Sequence, residues 1–138
     1  MGKSISQVMT SNPRGVETST PVAEAARIMK TEDVGSVPIL EGDRLTGMLT
    51  DRDIAIRLVA EGKDPQSTTV GEIASRDVVT IDPQQNLDEA LRLMAQHQVR
   101  RLPVVEEDGR LVGIVAQADV ATQGDDARTG QVVEQISQ

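Results

Sequence analysis

The 138 residues include no Phe, Tyr or Trp, no Cys and one His. Without rings, a core must be assembled from Val, Ile, Leu, Met and Ala, which bury less area per residue than aromatics. The same absence removes ring stacking from any ligand site, so a bound base would have to lie against aliphatic side chains. Lack of Cys excludes disulfides and thiolate chemistry. One His without Cys does not complete a usual zinc set, so no metal is expected. No apolar run approaches the length of a membrane span, and Met1-Gly2-Lys3-Ser4-Ile5 does not open a signal peptide. A soluble, cytoplasmic protein that binds no membrane is expected. Positive charge is also scarce: 14 Lys and Arg face 22 Asp and Glu, for a net charge of −8. That balance repels a phosphate backbone and argues against nucleic acid, although isolated basic groups suit one small anion.

What the chain does have is repetition. Val22-Ala23-Glu24-Ala25-Ala26-Arg27-Ile28-Met29 returns 65 positions later as Leu87-Asp88-Glu89-Ala90-Leu91-Arg92-Leu93-Met94. Val34, Pro38 and Asp43 return as Val99, Pro103 and Asp108. One extra residue near Gly109 then shifts the offset, and Arg44, Leu45, Gly47 and Asp53 recur as Arg110, Leu111, Gly113 and Asp119. Each copy is too small to bury a core alone, so the two should pack together with a ligand cleft between them.

Within each copy the order reads β-α-β-β-α. Ser4 to Ser11 is a lead-in helix or turn, echoed by Val70-Gly71-Glu72-Ile73. Gly15–Thr18 and Val78–Ile81 read as short strands. Thr20 as cap and Pro21 in the first turn open a helix; Asn86 and Glu89 suggest a capping box for its counterpart. Val22, Ala25, Ala26 and Met29 make one helical stripe, as do Leu87, Ala90, Leu91 and Met94. The strands Val37–Leu40 and Leu45–Leu49 flank a tight turn, as do Leu102–Val105 and Leu111–Val115. A second helix follows, beginning near Asp51 and stopped by Gly62 and Pro65. The expected organisation is one module over 1–138, with repeats at 5–62 and 70–123 and a tail at 124–138. In that tail Val132, Val133 and Ile136 would form one docking turn.

The order, together with Val37-Pro38-Ile39, Leu102-Pro103-Val104-Val105, Leu45–Asp53 and Leu111–Asp119, resembles the CBS-domain pair, or Bateman module. Gly47–Ile54 and His97–Val104 look like stand-alone bacterial pairs of the hypoxic-response type. The resemblance implies an α+β fold of two tandem β-α-β-β-α repeats about a pseudo-twofold axis. It also implies a disc-shaped dimer of modules, and adenine nucleotides (AMP, ADP, ATP) or S-adenosylmethionine as regulatory ligands.

Thr50 and Asp53 fit the family's ribose-phosphate signature. A carboxylate at a helix start can accept from both hydroxyls of a cis-diol, and a hydroxyl three residues earlier can reach a phosphate or sugar oxygen. The plain alternative is that Thr50 or Asp51 only caps the helix. The second copy keeps Asp119 but has Ala116 in place of Thr50. It has Arg100-Arg101 where the first has Gly35-Ser36, and a guanidinium fork suits phosphate; the alternative is a solvated pair balancing Glu106 and Glu107. A single asymmetric anionic nucleotide between the repeats is therefore expected. His97 is either a helix-end residue suited to the C-terminal dipole or a phosphate donor. Val16, Thr18, Ile39, Thr80, Ile81 and Val104 are candidates for an adenine wall. Pro38 and Pro103 should mark strand edges with backbone groups facing the ligand. Gly47 and Gly113 signal a close backbone approach, by ligand or by packing.

Asp51-x-Asp53 also resembles the paired aspartates of haloacid-dehalogenase phosphatases, but Ile54-Ala55 lack the expected Thr. The segment is not a calcium loop either, lacking the glycine and the distal Glu. With no nucleophile–base pair or metal set, a non-enzymatic sensor is expected; the competing reading is a pure interaction module. Ile54, Ala55, Ile56, Leu58 and Val59 are apolar on more than one side of their helix. This predicts a homodimer through Ile54, Leu58, Val59 and Val120, with an unidentified effector protein as a further partner.

Overall fold

Each apolar run becomes one wall of a small core. In the computed structural model, which describes residues 2–122, two such cores form. The elements run α1 (Ile5–Val8), β1 (Thr10–Ser11), β2 (Val16–Glu17), α2 (Val22–Glu32), β3 (Ser36–Glu41), β4 (Arg44–Thr50) and α3 (Asp51–Asp53). α3 continues as a π-helix (Ile54–Val59). There follow α4 (Val70–Ile73), α5 (Leu87–His97), β5 (Arg101–Val105), β6 (Leu111–Ala116) and α6 (Gln117–Ala121). The fold is α+β, with sheets of order β2-β3-β4 and β1-β6-β5. The tail at 124–138 lies outside the described residues.

The compact units are not the sequence repeats. One unit is Arg14–Val78; the other comprises the described parts of Met1–Pro13 and Val79–Gln138. Ile5, from the start of the first copy, is fully buried with Leu91, Met94, Leu102 and Val115 of the second. Val70 and Ile73, from the start of the second copy, are buried with Val22, Ile39 and Leu49 of the first. Backbone pairing makes the same exchange. β1 pairs antiparallel with β6 through Thr10↔Ile114 and Ser11↔Gly113, and Ser75 bridges Met48. Each lead-in segment thus closes the core built by the other copy.

Local chemistry explains the elements and several departures. α5 buries Leu87, Ala90, Leu91 and Met94 as its spacing requires. α2 buries Ile28 rather than Ala26, so its buried face is wider than the four-residue stripe. Pro21, not Thr20, holds the N-cap of α2, without a side-chain cap. Asn86 Oδ1 accepts from Glu89 N–H at 2.9 Å, but the return half of the box is not made by Glu89. Its carboxylate instead takes the Arg92 guanidinium in a two-point pair at 2.8 and 2.7 Å. Val78–Ile81 forms no strand. Ile81 alone reaches β5, donating to Pro103 O and accepting from Val105 N–H at 3.0 Å each; the turn closed by Asp82 Oδ1 on Gln84 N–H then leads the chain away. The β3–β4 turn uses Gly42 at φ +66°, and the β5–β6 turn, which holds the extra residue of the second copy, uses Gly109 at φ +89°.

Pro103 lies on β5, the outer strand of its sheet, but Ile81 N–H takes its carbonyl, so its backbone oxygen is not open to a ligand. Pro38 does not lie on an edge, because β3 is the middle strand of its sheet. It pairs with Met48, whose N–H points to Ser75 O. The missing donor of Pro38 therefore falls on the β2 side, where β2 is only two residues long.

Candidate ligand site

The end of β4 delivers Thr50 to the start of α3, and two reciprocal hydrogen bonds lock the turn. Thr50 Oγ1 accepts from Asp53 N–H, and Asp53 Oδ2 accepts from Thr50 N–H, both at 3.0 Å. The capping alternative is thus realised, by Thr50 and not Asp51. It uses only part of the pair's capacity: the Thr50 hydroxyl keeps its proton to donate, and Asp53 keeps Oδ1. Asp53 is 5% exposed, one of two buried polar or charged residues among those described. A buried carboxylate needs partners. Oδ1 finds the Ser75 hydroxyl at 3.4 Å and Arg57 Nε at 3.9 Å. Arg57 Nη1 also donates to Ile73 O at 3.3 Å. Ser75 and Arg57 were missed at the sequence level, although an Arg four residues after Asp53 on a helix is a legible pairing signal.

The other unit builds a chemically different counterpart. Asp119 Oδ2 accepts from Ala116 N–H at 3.0 Å, but Ala116 has no hydroxyl to return the bond. Arg101 stands opposite Ala116 in the β5–β6 register, and Arg100 O accepts from Gln117 N–H at 2.7 Å. The two exposed arginines therefore gather at the same strand end as Asp119. Gln117 Nε2 beside them is buried and without a hydrogen-bond partner among the described residues. That is a donor awaiting an acceptor, with no signal in the sequence to mark it. A hollow of about 220 Å³ adjoins Asp119, lined also by Lys3, Gln7, Val8 and Thr122.

The remaining candidates divide by burial. Val16, Pro38, Ile39, Ile81, Pro103 and Val104 are buried, all but the prolines within the two apolar clusters. Thr18 and Thr80 are partly exposed, and Thr18 O accepts from Gly71 N–H at 3.0 Å. His97 is exposed in the last turn of α5. Gly47 and Gly113 are explained by chain packing. A Cβ on Gly47 would stand 2.7 Å from Ser75 O, and one on Gly113 would meet the Met9 side chain and Thr10 O. The dimer residues need correction: Leu58 is 3% and Val120 0% exposed, both in apolar cores, while Ile56 (44%) and Val59 (68%) face outward.

The family model for the CBS domain matches residues 5–60 and again 70–124. The chain belongs to the CBS-domain family. It is a tandem pair, and such pairs are regulatory modules. It is 47% identical over 118 residues to the CBS domain-containing protein YhcV of Bacillus subtilis, covering 86% of this chain and 83% of that protein. It is 49% identical over 98 residues to hypoxic response protein 1 of Mycobacterium tuberculosis, covering 70% of this chain and 68% of that one. A crystal structure of Hypoxic Response Protein I with two coordinated zinc ions superposes with a TM-score of 0.81, at 40% identity over 89% of this chain and 100% of that one. CBSX2 in complex with AMP gives 0.76 at 25% identity, covering 96% and 99% of the chains. The CBS pair of MJ0100 with 5′-methylthioadenosine and S-adenosylmethionine gives 0.77 at 26%, covering 88% and 95%. No group of three or more His, Cys, Asp or Glu able to hold a metal occurs among the described residues. No helix among them is long and apolar enough to cross a membrane.

Proposed function

We propose that this CBS pair is a non-enzymatic cytoplasmic sensor for an adenosine-type ligand, with the ribose diol on Asp53 and the Thr50 hydroxyl donating to a sugar or phosphate oxygen. The observation that carries the proposal is the buried Asp53 carboxylate locked to Thr50 at a strand–helix junction. AMP and S-adenosylmethionine in complexes of structurally similar CBS proteins support the ligand class. Arg100 and Arg101 stand at the strand end of Asp119 in the other unit, and phosphate contacts are proposed for them there.

A thermal-shift screen over AMP, ADP, ATP, guanine nucleotides, S-adenosylmethionine and NAD tests this reading. A ligand at a hundredfold excess over its Kd adds about 2.7 kcal/mol of stability, so a true ligand is visible. Binding lost in Asp53→Ala fixes the diol assignment; no shift with any compound rejects it. Arg101→Ala should weaken AMP more than adenosine, which carries no phosphate.

A second reading, association of two copies, is favoured by Ile56 and Val59, which leave apolar surface uncovered on the π-helix. Val59→Glu should then convert a dimer to a monomer by light scattering, with the circular dichroism of the folded chain retained. Effector recognition would follow from the regulatory role.

A further inference from the structure

The Asp53 carboxylate that the proposed function assigns to a ribose diol already has company. A carboxylate offers about four lone-pair sites. On Oδ2 one is taken by Thr50 N–H at 3.0 Å. Oδ1 faces the Ser75 hydroxyl at 3.4 Å and the Arg57 guanidinium at 3.9 Å. Thr50 and Ser75 leave two of the four sites, and the guanidinium stands 3.9 Å from the oxygen that carries one of them, so a second diol hydroxyl there meets Arg57. Arg57 itself is poorly anchored: its side chain is 51% exposed, and its hydrogen bond to Ile73 O is a long 3.3 Å. It is carried on a π-helical turn, a rare geometry frequently found at functional sites. By repeat register, Arg57 corresponds to Gln123, so the second copy has no cation at this position.

We infer that Arg57 is a built-in competitor for the ligand's diol, an internal cation that occupies the Asp53 carboxylate until a nucleoside displaces it. This inference rests on the reading of Asp53 as the diol acceptor. It assigns Arg57 the opposite role from a phosphate-binding arginine: the side chain lowers affinity and sets the concentration at which the sensor responds. On displacement, Arg57 also leaves Ile73 O, so ligand occupancy is passed to the π-helix and to α4.

The test is calorimetric titration of adenosine and AMP into wild type, Arg57→Met, Arg57→Lys and Asp53→Asn. Adenosine is the decisive probe, because it presents the diol without a phosphate. An ion pair 3.9 Å long with a half-exposed cation is weak, so its loss in Arg57→Met should tighten adenosine binding by about twofold to fivefold at low salt. Arg57→Lys, which keeps a charge, should stay near wild type. Added salt should tighten adenosine binding to wild type by screening the pair, and leave Arg57→Met unchanged. In wild type, the Arg57 Nε–H resonance should move on saturation with adenosine, a readout that needs no variant to fold. Equal or weaker binding by Arg57→Met, or an unmoved Arg57 resonance in the adenosine complex, overturns the competitor role. Absence of binding in every protein, or full binding by Asp53→Asn, instead overturns the diol assignment, and the competitor role falls with it.

Discussion

Gly47 and Gly113 carry the same sequence signal and differ in consequence. A methyl at Gly47 would press on a backbone oxygen, Ser75 O at 2.7 Å, whereas at Gly113 the nearest atom belongs to the flexible Met9 side chain, with Thr10 O at 3.0 Å. Gly47→Ala should therefore destabilise by about 1–3 kcal/mol, the range for overpacking, and Gly113→Ala by less; urea denaturation of the two variants ranks them. Thr50→Ala should cost about 1 kcal/mol through the lost cap, and Thr50→Ser should restore most of it. The Thr50–Asp53 pair was legible because it depends on three residues of local chain. Ser75 was not, because it lies 22 positions along the chain from Asp53 and is brought there by tertiary contacts such as its pairing with Met48.

Elements show the same contrast between periodic and long-range information. The stripe of α5 and both hairpins followed from periodicity and turn residues. The π-helix did not: its apolar residues fit an α-helical reading, and the structure turns Leu58 inward and leaves Val59 out. The placement of α1 and α4 was also invisible, since their sequence similarity says nothing about which core they complete. Ile5→Ala should cost about 2–5 kcal/mol. Hydrogen exchange should show the loss of protection in β5 and β6, far along the chain, rather than in β3 and β4. α4 adds a pH dependence. The Thr69 N–H and hydroxyl both donate to Glu72 Oε2, at 2.7 and 3.0 Å. These bonds, the backbone one foremost, hold the Glu72 carboxyl below its ordinary value. A depressed carboxyl stabilises above its unfolded value and loses that contribution as pH falls through the folded one. Glu72→Ala should thus melt below wild type at neutral pH, with the gap closing in acid.

At the scale of the molecule, the exchange of lead-in segments makes a sequence repeat and a folding unit different objects. A fragment 5–62 lacks Val70 and Ile73 from its core, whereas a fragment 14–78 contains both. Circular dichroism should show a cooperative melt for 14–78 and none for 5–62, since units of this size have little apolar surface to spare. By itself the sequence determined the duplicated α+β pattern, the aliphatic cores, the family and the Thr50–Asp53 junction, because each is written in neighbouring residues or in exact recurrence. Tertiary structure alone decided which lead-in closes which core, that Leu58 and Val120 are interior, and that Ser75 and Arg57 converge on Asp53. Those depend on contacts between distant parts of the chain, which are selected by how the apolar surfaces close and by no local preference.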